Sequence, residues 1–253
     1  MRAKRGIFVA PFDELSDPRV VARLAADAEA AGFDGFFLWD HVNYRPPTQA
    51  VADPWVAMSA IATATERVLI GPLVTPLSRR RIHKLARETA TLDLLSGGRL
   101  VFGVGLGSTN NGELEPFGEV VDPRERARLL DEGLDRLVEF WNGEFEPRPL
   151  QRPRIPIWVA ARWPNKRPMR RAARWDGLFP IEQEEPEQLA EMVAYVKEHR
   201  PADAGPFEVV VVDEDTGADP RPWEEAGATW FLTGFGSTPR EADVRDAIAA
   251  GPG

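Results

Sequence analysis

The chain has 253 residues, a formal net charge of −9 and no cysteine. An acidic chain differs from nucleic-acid-binding proteins, which present a basic face, and a chain without cysteine has neither disulfides nor thiolate metal ligands. No apolar run approaches the roughly 20 residues that cross a bilayer. The apolar run at residues 6–12 is too short for a signal peptide, so we expect a cytoplasmic protein with neither nucleic-acid nor membrane partners.

Strand-like apolar runs alternate with helical periodicity along the whole chain. The runs are nearly continuously apolar, which is typical of parallel strands covered on both faces. Eight such units predict a (β/α)₈ TIM barrel that forms one domain over residues 1–253, and an open doubly wound sheet is the alternative. The predicted strands are residues 6–10, 35–39, 67–71, 99–104, 155–160, 177–181, 207–212 and 228–233.

Three predicted helices begin with the same pair of residues. An Asp-Pro pair stands at 17–18, 53–54 and 122–123. The aspartate can cap the free amides of a helix start, and proline is preset for the first turn. Glu125 completes a capping box at the third of these sites. The sequence also predicts helices at residues 164–174, 188–199 and 239–250, and a polar loop at residues 213–222.

The second predicted strand ends in chemically useful residues, since Trp39 is followed by Asp40 and His41. The working groups of a TIM barrel gather where strands run into the following loops. Histidine exchanges protons near neutral pH, and a neighbouring carboxylate can position it. In the alternative interpretation Asp40 caps a turn and His41 binds backbone, but the place in the barrel favours a catalytic pair.

The fourth predicted strand carries alternating glycines at Gly103, Gly105 and Gly107. Residues two apart share one face of a strand, so these glycines form a bare strip of backbone. Such a strip indicates close approach by a ligand, for example a flat ring system, or else a tight bend of the barrel. It is not a dinucleotide fingerprint, because Ser108 stands where the third glycine is needed.

The fifth predicted strand runs into a basic helix start. Ala160 and Ala161 let a ligand approach the backbone, while Arg162, Lys166 and the free amides of a helix N-terminus favour a phosphate. The arginines of this helix are otherwise explained as a solvated charged face. The three arginines at residues 79–81 have the same two interpretations, as groups that bind an anion or as a solvated charged surface.

A few further residues are candidates for contact with substrate. Phe12, Trp39 and Trp55 can line a pocket mouth, although most aromatic side chains pack in cores. Glu182, after the sixth strand, is the acid best placed for a lyase or isomerase. The three histidines show no spacing typical of metal ligands, so we expect no metal site.

Together these motifs resemble the bacterial luciferase-like flavin-dependent oxidoreductases, which include flavin monooxygenases and deazaflavin-dependent dehydrogenases and reductases. The resemblance covers nearly the whole chain, which is a short member with reduced insertions. Its central stretch, residues 92–99, is the most specific part. The matching stretches are residues 31–35, 38–41, 69–76, 86–106, 156–160 and 172–177.

The resemblance implies a cofactor, either FMN or the F420 deazaflavin, with its ring over the strand ends and its phosphate in later loops. It also implies a cis peptide bond between Leu73 and Val74, a redox-centre pair at Asp40 and His41, and a catalytic Asn111. Ser108 replaces the family's carboxylate in that region. The residues expected at the cofactor are Leu73, Val74, Thr75, Gly105, Leu106, Gly107, Ala160, Ala161, Arg162, Trp163 and Lys166.

The leading functional hypothesis is a flavin- or deazaflavin-dependent oxidoreductase or monooxygenase that acts on a small organic molecule. One alternative is a non-catalytic flavin-binding barrel, which would tolerate loss of His41. Another is an unrelated TIM-barrel lyase or isomerase, because fold alone does not exclude it.

We also expect a homodimer. The second helix carries Trp55, Val56, Met58 and Ile61, more apolar residues than one inward face needs. A helix that is hydrophobic on more than one side is buried on more than one side. This pattern places Trp55 or Met58 near an interface.

Overall fold

The computed structural model describes residues 2–182, 185–214 and 217–253. Strands and helices alternate along them. The strands are β1 Lys4–Val9, β2 Gly35–Leu38, β3 Leu69–Pro72, β4 Thr75–Pro76, β5 Phe102–Gly105, β6 Ile157–Ala161, β7 Gly177–Pro180, β8 Glu208–Asp213 and β9 Trp230–Gly234. The α-helices are α1 Pro18–Ala31, α2 Pro54–Ala64, α3 Ile82–Leu95, α4 Pro123–Glu139, α5 Lys166–Ala172, α6 Pro186–His199, α7 Arg221–Glu225 and α8 Glu241–Ala250.

All nine strands join one parallel sheet in the order β3-β2-β1-β9-β8-β7-β6-β5-β4. β3 corresponds to the third predicted strand, and β4 is a short strand that the prediction did not include. Leu73 and Val74 separate the two, and their peptide bond is cis, as the resemblance implied. β3 pairs with β2 and β4 with β5, and a bridge between Ile70 and Leu100 brings the two ends of the sheet together. The predicted TIM barrel is confirmed, with its third strand split.

The predicted helix starts are confirmed by their hydrogen bonds. Asp17 accepts from the amide of Arg19, Asp53 from two amides of the first turn of α2, and Asp122 from the amide of Glu125. The prediction of a loop through residue 222 was wrong at its end, since α7 begins at Arg221. This helix has five residues, too few to show helical periodicity.

The core has an inner and an outer layer, so each strand is buried on both faces. Phe37 points into the barrel, where its ring centroid lies 5.6 Å from those of both Trp158 and Trp230. Its neighbour Phe36 belongs to the layer between the sheet and the helices. This double burial is the physical reason for the continuously apolar strand sequences.

Arg99, in the most specific of the motifs, is a buried structural residue. Its guanidinium donates to the carbonyl oxygens of Ala62, Thr65 and Val68, which lie at the end of α2 and in the turn before β3. Burial lowers the pKa of Arg99 from its ordinary value. The motif therefore joins α2 and β3 to the start of β5.

The glycines of β5 are explained by the third strand and not by a ligand. A Cβ at Gly103 would lie 2.2 Å from the carbonyl oxygen of Pro72, and one at Gly105 would lie 2.7 Å from Cγ2 of Val74. Gly107 has a φ of +75°, in the left-handed region that favours glycine. The predicted bare strip exists, but the neighbouring chain segment covers it.

Trp55 and Met58, which the apolar pattern of the second helix placed near a subunit interface, are covered by contacts within the chain, and the homodimer stays a prediction. Met58 is 0% exposed and Trp55 is buried as well, because α2 packs between α1, α3 and the barrel. Val56 is the large apolar residue of this helix that faces outward, at 62% exposed.

The close contact between Gly103 and the backbone of Pro72 leads to a testable prediction. Gly103→Ala should lower the free energy of unfolding by about 1–3 kcal/mol, since the backbone of Pro72 cannot move away cheaply. The melting temperature should fall by roughly 2–4 °C for each kcal/mol. Gly205→Ala is the matched control, because no atom lies within 4 Å of its Cβ position. Equal melting temperatures for the two variants would contradict this account of the strip.

Candidate active site

A cleft of about 1720 Å³ lies over the carboxyl ends of the strands. It exceeds the roughly 300–1,000 Å³ of pockets for a single small ligand. Its lining includes Trp39 after β2, Val74 between β3 and β4, and Leu106 after β5. The cleft therefore has room for a cofactor and a substrate together.

Asp40 lies at the base of this cleft with its carboxylate fully enclosed. Its oxygens accept hydrogen bonds from Thr75 Oγ1 at 2.6 Å and from Trp55 Nε1 at 3.3 Å. Arg79 and Arg80 each form an ion pair with it, at 2.8 and 2.9 Å. With both oxygens engaged and two guanidinium groups beside it, Asp40 positions its neighbours and is not free to accept a substrate proton.

Arg79 connects Asp40 to a second buried acid. One of its nitrogens contacts Asp40, and the other donates to Glu113 Oε1 at 2.6 Å. Glu113 is 1% exposed in its side chain. Ion pairs therefore hold together three parts of the fold, namely the end of β2, the turn after β4 and the loop after β5.

Glu113 in turn holds His41. Glu113 Oε2 lies 2.8 Å from Nδ1 of His41, and the amide of Val42 donates to Oε1 at 3.0 Å. Burial opposes ionisation of Glu113, but the hydrogen bond with His41, the charge of Arg79 and the hydrogen bond from the Val42 amide together hold its pKa below the ordinary value. An ionised carboxylate only accepts hydrogen bonds, so Nδ1 carries hydrogen and Nε2 is left for a ligand.

Aromatic rings fix the orientation of the imidazole. The ring centroids of Tyr44, Trp39 and Phe12 lie 5.0, 5.6 and 5.8 Å from that of His41. Phe12 is fully buried behind the cleft, where it supports His41 and does not line the cavity.

The structure brings most of the predicted site residues to the cleft. Thr75 and Trp55 lie behind it, where they donate to Asp40, and Trp163 packs against the outer core. The predicted residues that line the cleft are Trp39, Asp40, His41, Leu73, Val74, Gly105, Leu106, Gly107, Asn111, Ala160, Ala161, Arg162, Lys166 and Glu182.

One wall of the cleft is basic. Arg162, Lys166 and Arg167 line it from the β6–α5 side. Arg126, at the start of α4, donates to the carbonyl oxygens of Leu106 and Gly107, both at 2.9 Å, and thereby fixes the loop after β5.

Glu182, the acid on which a lyase or isomerase would depend, is 65% exposed in its side chain and paired with Arg162 at 2.6 Å. It therefore lies at the rim of the cleft. An exposed, ion-paired carboxylate lacks the desolvation that turns an acid into an effective proton-transfer group.

Sequence reasoning did not identify Glu113 or Tyr44, and it left the arginines at residues 79–81 ambiguous. Glu113 stands 72 positions after His41, in an irregular loop with neither periodicity nor a spacing motif. The position of Arg79 just after the third strand could have identified it as a site residue, because the loops that follow barrel strands carry function.

Comparisons with known proteins agree with the fold. Residues 6–214 match the family of luciferase-like monooxygenases. The chain belongs to this family. Its matched relatives include flavin- and F420-dependent oxidoreductases.

Two enzymes show the range of these relatives. The chain is 35% identical to an F420-dependent glucose-6-phosphate dehydrogenase of Nakamurella multipartita, over 50% of this chain and 38% of that enzyme. It is 28% identical to the oxygenase component of a flavin-dependent trigonelline monooxygenase of Acinetobacter baylyi, over 51% of this chain and 39% of that enzyme. Each match spans less than half of the enzyme's length.

Among solved structures, an F420-dependent secondary alcohol dehydrogenase in complex with an F420-acetone adduct has a similar fold. The TM-score is 0.79 at 19% identity, and the match covers 98% of this chain and 96% of that one. This likeness supports the barrel architecture. No helix in the described part of the chain is long and apolar enough to cross a membrane.

The lowered pKa of Glu113 predicts a specific response to acid. A depressed carboxyl pKa contributes stability above the ordinary value of 4.5, and this contribution is lost as the pH falls through the folded-state value. Glu113→Gln should therefore be less stable than the unaltered protein near pH 7, and the difference should shrink below about pH 4. Urea unfolding across this pH range measures it.

Glu115→Gln is the control, because Glu115 is exposed and only two residues away. Its free energy of unfolding should differ little from that of the unaltered protein at every pH. If the free energies of unfolding of Glu113→Gln and the unaltered protein differed by the same amount from neutral to acid pH, the assignment of an ionised, hydrogen-bonded Glu113 would be contradicted.

Proposed function

We propose that the cleft binds FMN or the F420 deazaflavin and that His41 exchanges a proton with a small organic substrate oxidised or reduced there. The observation that carries the proposal is the pair of His41 and Glu113. It places an oriented imidazole at a cleft that is large enough for two ligands. The relatives of the chain include users of both cofactors.

The shape and charge of the cleft suit such a cofactor. Val74 and Ala160 flank Gly105 and offer a narrow apolar surface for a flat ring. Lys166 and Arg167, near the start of α5, offer positive charge to a phosphate. When bound, a flavin-type ring supplies the hydride or oxygen chemistry.

His41 supplies the proton chemistry in this proposal. Glu113 keeps hydrogen on Nδ1, so Nε2 accepts the proton of a substrate hydroxyl during oxidation or donates one to a carbonyl oxygen during reduction. The negative charge of Glu113 stabilises the imidazolium that forms when Nε2 takes a proton. Asn111 lines the same cleft, and in this proposal its amide orients the substrate.

The network behind His41 is positioning machinery. Arg79 holds Glu113 at a fixed distance from Asp40, and Asp40 is itself held by Thr75 and Arg80. General acid-base catalysis needs the catalytic atom within hydrogen-bond reach of its partner, and this chain of ion pairs sets the position of the imidazole.

A non-catalytic flavin-binding barrel has less support. Although Ser108 stands where the resemblance implies a carboxylate, Glu113 brings a carboxylate to His41 from the same loop. Burying Glu113 and Arg79 costs desolvation energy that binding a ring alone does not require. The buried pair therefore favours an enzyme.

The proposal predicts a separation between binding and turnover. Titration with FMN and with F420, followed by fluorescence, should show saturable binding of at least one of them. His41→Ala should bind that cofactor with nearly unchanged affinity yet lose about 10²–10⁴-fold in turnover, the usual weight of general acid-base catalysis.

His83→Ala is the matched control, since His83 is exposed on α3, and it should keep full activity. Failure of both cofactors to bind would refute the cofactor assignment. A His41→Ala variant with unchanged turnover would refute the role of His41 while leaving the binding of the cofactor intact.

A further inference from the structure

A second cavity, of about 410 Å³, opens between α4 and α5 beside the cleft. Its lining residues are Arg124, Ala127, Arg128, Asp131, Arg167, Arg170, Arg171 and Arg174. We refer to it as the arginine groove. Arg124, Ala127, Arg167 and Arg171 also line the cleft, so the two spaces are continuous.

The arginine groove is strongly basic in an acidic protein. Six of its eight lining residues are arginines and one is an acid, whereas the whole chain carries a net charge of −9. Positive charge concentrated in one depression raises the local concentration of anionic ligands. The position of the groove directs that attraction to a molecule that also occupies the cleft.

Half of these arginines serve the fold. Arg171 forms a bidentate pair with Asp131, at 2.5 and 2.8 Å, and thereby joins α5 to α4. Arg174 pairs with Asp135 across the same helices at 2.6 Å. Arg128 is paired with Glu125 and Glu132 on its own helix.

The other half have no acidic partner among the described side chains, those of residues 2–143, 145–182, 185–214 and 217–253. Arg124 stands in the first turn of α4, and Arg167 and Arg170 stand on the facing side of α5. Arg170 donates to the hydroxyl of Tyr195 at 3.3 Å, which leaves its charge uncompensated. These three side chains are exposed and available to an anion that enters from the cleft.

Resting on the proposed function, we infer that the arginine groove binds the glutamate tail of the F420 deazaflavin and that this chain prefers F420 to FMN. FMN ends at its phosphate, whereas F420 continues beyond its phosphodiester into a chain of γ-linked glutamates. A cofactor phosphate held by Lys166 and Arg167 would lie beside the groove, because Arg124 and Arg167 line both the cleft and the groove. Several spaced carboxylates match several spaced guanidinium groups, which bind carboxylates with well-defined geometry.

The experiment compares affinities of the unaltered protein for F420 with one glutamate, F420 with about six glutamates, and FMN, by fluorescence titration. Long-tailed F420 should bind more tightly than the short-tailed form, and added salt should reduce the difference because exposed charges are screened. Arg124→Gln and Arg167→Gln should each weaken long-tailed F420 by about two- to fivefold. Arg124→Gln should leave the short-tailed form nearly unchanged.

Arg23→Gln, an exposed arginine on α1, is the matched control and should change none of these affinities. Equal affinity for both tail lengths, or an unchanged preference in Arg124→Gln, overturns the inference while the proposed function stands. Binding of FMN but of neither form of F420 also overturns the inference and leaves the proposed function standing. A free γ-glutamate oligomer that binds the groove as tightly as long-tailed F420 would also overturn it, by identifying a separate acidic ligand. Failure of all three cofactors to bind refutes the proposed function itself.

Discussion

The carboxylate of Asp40 is the contact on which the active end of this barrel depends. It lies at the end of β2 and accepts from the side chains of α2 and β4, while two guanidinium groups from the following turn neutralise it. Burying such an ion is costly unless its partners are in place, and removal of one partner of a buried pair typically costs about 3–5 kcal/mol. The segments that bring those partners are therefore fixed relative to one another, and the imidazole of His41 takes its position from them.

A second constraint is the contact between the split third strand and β5. Pro72 and Val74 lie so close to β5 that Gly103 and Gly105 have no room for a side chain. From the sequence, alternating glycines indicate either a ligand or a neighbouring backbone, because both exclude a Cβ for the same steric reason. Here the neighbour is protein, and the surface offered to the cleft belongs mainly to Val74 and Ala160.

Local signals in the sequence predicted the barrel and the helix starts, since strand burial and N-capping depend on residues close together in the chain. Contacts between distant loops were less accessible. Glu113 reaches His41 only because parallel strands deliver both loops to one end of the barrel. The enclosure of Trp55 within the chain was missed for a related reason, as an apolar residue pattern does not reveal that α2 is enclosed by α1, α3 and a buried acid.

The distribution of charge adds an argument about selectivity. A chain with a net charge of −9 repels polyanions as a whole, so a site for an anionic ligand needs a local excess of positive charge. Paired arginines do not supply it, because Asp131 and Asp135 already neutralise Arg171 and Arg174. The excess comes from Arg124, Arg167 and Arg170. Arg124 and Arg167 line both cavities, whereas Arg170 lines the groove alone. The proposed selectivity follows from this arrangement, because only an anion long enough to leave the cleft would reach all three.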